Sequence, residues 1–290
     1  MSQLKNFPCK QFIKSILRQE KGLVWTGFVG IMISFACGIY FFIHGSNDIP
    51  PEGKFSNLIS FDLAIAVYVL TTAALLTVLQ LSTSFRKKIL VYPLVVTSLV
   101  AYISETVQNL RGINARFTQT DLPFSFLNDL ITTVAAMLTL LFMIFTVIIF
   151  GTKDKKNQLL LLSVKYSCFA VFLGGILSGL WMSMEQGRWI GDEGNIMIIH
   201  FTGFHSLQTI PIIGWLLDHS SVRHLKAKKI IHVTGITWIM MILLLFIQTA
   251  IGKSIYDISI YLVFIVLFLL IWMISFLWSF KQTVSTTNES

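Results

Sequence analysis

Two short strings hold most of the side chains in this chain that could do chemistry. In the first, ISETVQNLRG, Glu105, Gln108 and Arg111 recur at steps of three residues, which on a helix lays them along one slanting stripe. In the second, HFTGFHSLQTIP, His200, His205, Gln208 and Pro211 follow within twelve residues. At about 100° per residue, with His200 as zero, Pro211 falls near 20°, Gln208 near 80° and His205 near 140°. That is one broad face, shared by Phe201 and Phe204. A carboxylate and two imidazoles can exchange protons or ligate a solute, and a guanidinium attracts an anionic group. Pro211 cannot donate to the carbonyl of Leu207, which frees a backbone acceptor on the same helix.

The elements that must position these groups are apolar and long. The 290 residues are 54% hydrophobic and only 12% charged, with a mean hydropathy of +0.74. Such a chain is too apolar for an ordinary soluble domain. Runs of about 20 apolar residues, the length that crosses a bilayer core, recur eight times. They cover Leu23 to Ile43, Asp62 to Leu81, Ile89 to Leu110, Leu130 to Gly151, Leu159 to Ser183, Ile196 to Leu217, Ile230 to Ile251 and Ile258 to Phe280. No gap between them is long enough to build a soluble core, and no internal repeat is visible.

The net charge of +8 reads as topology. The lysines and arginines do not build a basic face for nucleic acid; they cluster in alternate gaps. Lys5, Lys10, Lys14, Arg18 and Lys21 precede the first run. Arg86 to Lys88, Lys153 to Lys156, Arg223 to Lys229 and Lys281 follow on the same side. The opposite side has Lys54, Arg111, Arg116, Arg188 and Lys253. Cytoplasmic loops carry the excess, so both termini are expected in the cytoplasm. Lys165, a short way into the fifth run, can snorkel to the headgroups.

With this topology the two polar strings meet in depth. The third run travels outward, which puts Glu105 about 9 Å below Arg111 at 1.5 Å per residue. The sixth travels inward, and His200 and His205 lie roughly 6 and 14 Å below its outer end by the same rise. Asp129, Trp181 and Glu185 fall at the same outer level. Ionisable residues in a membrane usually face a bundle interior or a wet cavity and pair with one another. The expected site is therefore an outward-facing pocket lined by Glu105, Gln108, Arg111, His200, His205 and Gln208.

Blander and different readings compete with it. Each histidine could hydrogen-bond a neighbouring helix as packing glue. One metal held by His200 and His205 is disfavoured, because a spacing of five turns the rings about 140° apart, unlike the i, i+4 pair of HExxH. His44 with His200 could supply haem ligands from facing helices. GxSxG, P-loop and GxGxxG signatures are absent. Cys9, Cys37 and Cys168 have no metal-ligand spacing.

The string HFTGFHSLQTIP, with the E-x-x-Q-x-x-R-G pattern of Glu105, Gln108, Arg111 and Gly112, resembles a group of bacterial multi-spanning integral membrane proteins of uncharacterised function. The likeness runs from about Ala101 to Leu217. In that group the residues after Arg-Gly often read Ser-His-Phe-Asn, where this chain has Ala115, Arg116, Phe117 and Thr118. The resemblance implies a bacterial inner membrane and a shared polar site.

Together these readings predict an all-α polytopic bundle of about eight transmembrane helices. A basic cytoplasmic segment would occupy residues 1–22, the bundle 23–280 and a cytoplasmic tail 281–290. The expected partners are the lipid bilayer and a small-molecule or ion ligand, with no nucleic acid and no assigned cofactor. Function stands as transporter or small-ligand-binding protein, against a metal- or haem-dependent enzyme or redox protein, and against a sensor or assembly factor.

Overall fold

In lipid no water can satisfy a backbone amide, so an apolar run of this length must hydrogen-bond within itself. A computed structural model of the chain, describing residues 9–81, 83–117 and 125–289, follows that rule. Lys5 and Thr118 lie outside the described residues. A short helix α1 (Cys9–Gln19) precedes eight long apolar helices: α2 (Lys21–His44), α3 (Phe55–Val78), α4 (Ser84–Leu110), α5 (Ser125–Gly151), α6 (Gln158–Met184), α7 (Ile196–Asp218), α8 (His224–Ala250) and α9 (Ile260–Glu289). The eight expected spans are all present. The largest differences at span ends are at α3, which starts seven residues before Asp62, and at α9, which runs nine residues past Phe280.

The helices fall into two compact units, divided between Val147 and Ile148, and each is described by itself. In the first, α2, α3 and α4 pack against one another. A two-stranded hairpin, β1 (Asp48–Ile49) with β2 (Gly53–Lys54), joins α2 to α3. The chain leaves α4 through Gly112, whose φ of +77° is the left-handed turn that ends helices. Its N–H donates to Asn109 O (3.0 Å), and Ile113 N–H donates to Gln108 O (3.0 Å), the paired bonds of a Schellman cap. The hairpin rests on this cap: Glu52 N–H donates to Gly112 O at 2.8 Å.

The second unit repeats that plan, although no repeat is visible in the sequence. Helices α6, α7 and α8 pack together. A hairpin of β3 (Trp189–Ile190) and β4 (Gly194–Asn195) joins α6 to α7. Helix α8 ends at Gly252 (φ +76°) in the same cap, with Gly252 N–H to Thr249 O (2.9 Å) and Lys253 N–H to Gln248 O (3.1 Å). Glu193 N–H donates to Gly252 O at 3.1 Å. Only a few letters mark the repetition: I-x-x-E-G at Ile49 to Gly53 and Ile190 to Gly194, and Q-x-x-x-G at Gln108 to Gly112 and Gln248 to Gly252. Three packed helices, one hairpin and one glycine cap thus occur in each unit.

The glycines are required by space as well as by angle. A Cβ on Gly53 would strike Asn109 O, and one on Gly112 would strike the carbonyl of Pro50. In the second copy a Cβ on Gly194 would lie 2.5 Å from Thr249 O. Gly112→Ala therefore combines a left-handed non-glycine residue with a backbone collision, and it should cost at least about 2 kcal/mol. Gly252→Ala, with the same φ, should lower the thermal unfolding midpoint of the purified protein as well. Gly38→Ala, which meets nothing within 4 Å, should leave it unchanged; equal midpoints for all three variants would refute the cap-and-hairpin account.

Candidate functional site

Because α3 begins at Phe55, Asp62 is not at a span boundary but two turns inside the helix. It has no exposed surface. Its Oδ2 accepts a hydrogen bond from Thr106 Oγ1 of α4 at 2.9 Å. The residue before Thr106 on α4, Glu105, is equally buried. Its Oε1 accepts from Asn109 Nδ2 (3.1 Å) and from Arg116 Nη2 (3.1 Å).

Arg116 reaches a group in α4 because the chain turns back after the glycine cap. Asn114 Oδ1 accepts from the backbone N–H of both Arg116 and Phe117 at 3.3 Å, an Asx-type turn that fixes the direction of the segment. The guanidinium then lies 5.2 Å from the centre of the Phe61 ring, the residue before Asp62. Its side chain keeps 23% of its surface exposed. Asn109 links the centre to the hairpin, since its Oδ1 accepts from Lys54 N–H at 3.3 Å while its Nδ2 also donates to Glu105 O at 3.0 Å.

Several atoms of this group have no hydrogen-bond partner: Glu105 Oε2, Asp62 Oδ1, Arg116 Nε and the hydroxyl of Tyr102. Tyr102 lies one turn from Thr106 on α4, with its ring laid over Gly30 of α2. An unsatisfied buried polar atom costs roughly 1 to 3 kcal/mol. Four in one neighbourhood mark a place where the protein does not complete its own bonding.

The six residues expected from sequence divide three and three between the units. Glu105 is at the centre just described. Gln108 is buried, and Arg111 Nη1 donates to its Oε1 at 3.4 Å, with the arginine itself on the surface. In the second unit His200 lies at the crossing of α6 and α7. Its Nδ1 donates to the carbonyl of Gly175 (2.8 Å) and lies 3.2 Å from Ser178 Oγ. That crossing is made close by Gly174, Gly175 and Gly203, and it coincides with a widened turn of α6 at Val171–Leu177. Glycine pairs of this kind let helix backbones touch.

His205 Nδ1 is bonded to Gln208 Oε1 at 3.1 Å, with the Phe201 ring edge-on to the imidazole at 3.9 Å. The buried face of α7 is made by Ile199, Gly203, Ser206, Leu207, Ile210 and Gly214. His205 and Gln208 lie roughly 150° around the helix from it and are half-buried, while Phe201 is exposed. His232, near the start of α8, is hydrogen-bonded to Tyr166 Oη at 2.7 Å. Lys165 stands over the Phe150 ring at 5.7 Å.

The sequence reading missed Asp62, Tyr102, Asn109 and Arg116. For Asp62 the signal was available, because Phe55 to Ser60 continue the helical pattern into its span. Among the described residues, no three His, Cys, Asp or Glu side chains are gathered so as to hold a metal ion. No family model, curated protein or solved structure matches this chain. What stands is a polytopic helical membrane protein with ionisable side chains buried inside its spans.

Removing Arg116 while keeping Glu105 leaves a buried carboxylate without its counter-ion, a change worth about 3 kcal/mol or more. Arg116→Ala should therefore destabilise the protein markedly. Glu105→Gln/Arg116→Ala should recover much of the loss, as read from denaturation midpoints in a double-mutant cycle. Additive losses would show that the two side chains do not interact.

Proposed function

We propose that this protein is a transporter-like or small-ligand-binding protein of a bacterial cytoplasmic membrane. In this reading a polar site opens toward the outer side, with Glu105 and Gln108 at its centre and Arg111 and Arg116 at its mouth. His200 and the His205–Gln208 pair are a second set of polar groups, on α7 of the second unit. The distribution of lysine and arginine among the loops supports the orientation, and repeated units of like topology are a common plan of transport proteins.

One observation carries the proposal: the duplicated unit is built once with the ionic centre and once without it. Asp62 stands nine residues after Gly53, and nine residues after Gly194 stands Gly203. Glu105 stands seven residues before Gly112, and seven before Gly252 stands Leu245, which is buried. The second unit forms the same helices, hairpin and cap with a glycine and a leucine at these places. The scaffold therefore does not need the carboxylates. Buried charge in a membrane protein that the fold does not require is best explained by what the protein binds.

A screen of small carboxylates, amines and zwitterions against the purified full chain, read as shifts of the unfolding midpoint, tests this. At least one solute should raise the midpoint of the wild type by several degrees and leave Glu105→Gln unmoved, while the two proteins have similar midpoints without solute. If every solute that stabilises the wild type stabilises Glu105→Gln equally, the centre is not a binding site.

A further inference from the structure

The charges of the first unit do not balance, and this points to what the centre takes up. The inference rests on the reading of that centre as a binding site and goes on to its ligand class. Among the described residues, charged and titratable groups in electrostatic reach of Asp62 include Glu105 and Tyr102 from α4, Cys37 from α2, and Arg116 from the segment after α4. Thiol and phenol are neutral in their ordinary state. Arg111 is on the surface and donates to Gln108, so the two carboxyl groups without exposed surface share one guanidinium, that of Arg116, which is already bonded to Glu105.

Oxygens are also left over. Glu105 Oε1 is occupied by Arg116 and Asn109, while Oε2 has no partner. Asp62 Oδ2 is occupied by Thr106, while Oδ1 has none. The Tyr102 hydroxyl is fully buried and also has no hydrogen-bond partner. These are hard oxygen donors, with no imidazole among them, a set that favours a proton or a hard metal ion over a soft one. Charge decides the valence: a divalent ion would leave one positive charge in excess, whereas a single positive charge brings two carboxylates and one guanidinium to neutrality.

We propose that the first unit binds one small monovalent cation, a proton or a sodium-sized ion, at the free oxygens of Asp62 and Glu105. Arg116, at the partly exposed edge, stands beside the path by which that cation would reach the outer water. At the corresponding places of the second unit stand Gly203 and Leu245 instead of the two acids.

The test uses the full-length protein in lipid nanodiscs with no other solute present, so its outcome is independent of the solute screen. Unfolding midpoints are measured between about pH 5 and 9 in choline chloride and in sodium chloride of equal ionic strength. The wild type should lose several degrees as pH rises in choline chloride. If sodium restores the loss, the cation is sodium; if sodium does nothing, it is the proton. Asp62→Asn should hold the loaded wild-type midpoint in every condition. Glu105→Gln, which leaves Arg116 for Asp62, should lose the dependence too, so the proposal stays testable should one variant fail to fold. A wild type indifferent to both pH and sodium overturns the proposal, as does either variant that keeps the full wild-type dependence.

Discussion

The ion pair between Glu105 and Arg116 is the contact on which the candidate site of the first unit depends. A carboxylate with no exposed surface is tolerable in a membrane interior only with a counter-charge and filled lone pairs. The chain supplies the counter-charge from outside the helix. That requires α4 to stop within two turns of Glu105, the backbone to reverse at Gly112, and Asn114 to fold the next residues back so that the guanidinium can reach 3.1 Å from the carboxylate. Asn109 then holds the same carboxylate and the hairpin at once. Helix end, hairpin and charge centre are one construction.

The second unit separates the parts of that construction that belong to the fold from those that do not. It keeps the hairpin, the glutamate whose N–H donates to the cap glycine, and the left-handed glycine itself. At the places of the two acids it has Gly203 and Leu245, and four residues after its cap glycine, where the first unit has Arg116, it has Tyr256. Where Asp62 would be, Gly203 brings α7 against Gly174 and Gly175 of α6, and the reciprocal bonds between Ser167 and Ser206 extend the same seam. Close packing and internal hydrogen bonding stabilise that crossing without any buried charge. The centre of the first unit is a departure from the shared plan, and departures of this kind concentrate at functional sites.

Much of this was legible in the residues. The eight spans follow from apolar length, because lipid leaves the backbone no alternative to the helix. Glu105 and Gln108 stood out as polar groups on one stripe, and both are buried. The duplication was hidden because two copies in lipid need to agree only at hairpin, cap and helix length. The apolar faces between them can drift freely. Asp62 was hidden by a boundary, since an acid at the edge of a hydropathy window looks interfacial until the helix is known to begin at Phe55. Arg116 could not be read at all: its role depends on a turn made by Asn114, and a turn brings together residues that periodicity cannot relate. On α7 the expected polar face is divided: His200 is bonded to Gly175 at the crossing with α6 and Pro211 is buried, while His205 and Gln208 lie well around the helix from the packed face of Gly203 and Ser206.

The centre of the first unit therefore depends on where one guanidinium rests. An experimental map of the full chain in lipid, at a resolution that separates side-chain atoms, tests this most directly. It should show the Arg116 guanidinium in ion-pair contact with Glu105 and the Asp62 carboxyl turned toward Thr106. A map with Arg116 extended into the outer water and the two acids facing lipid or separated from each other would contradict it.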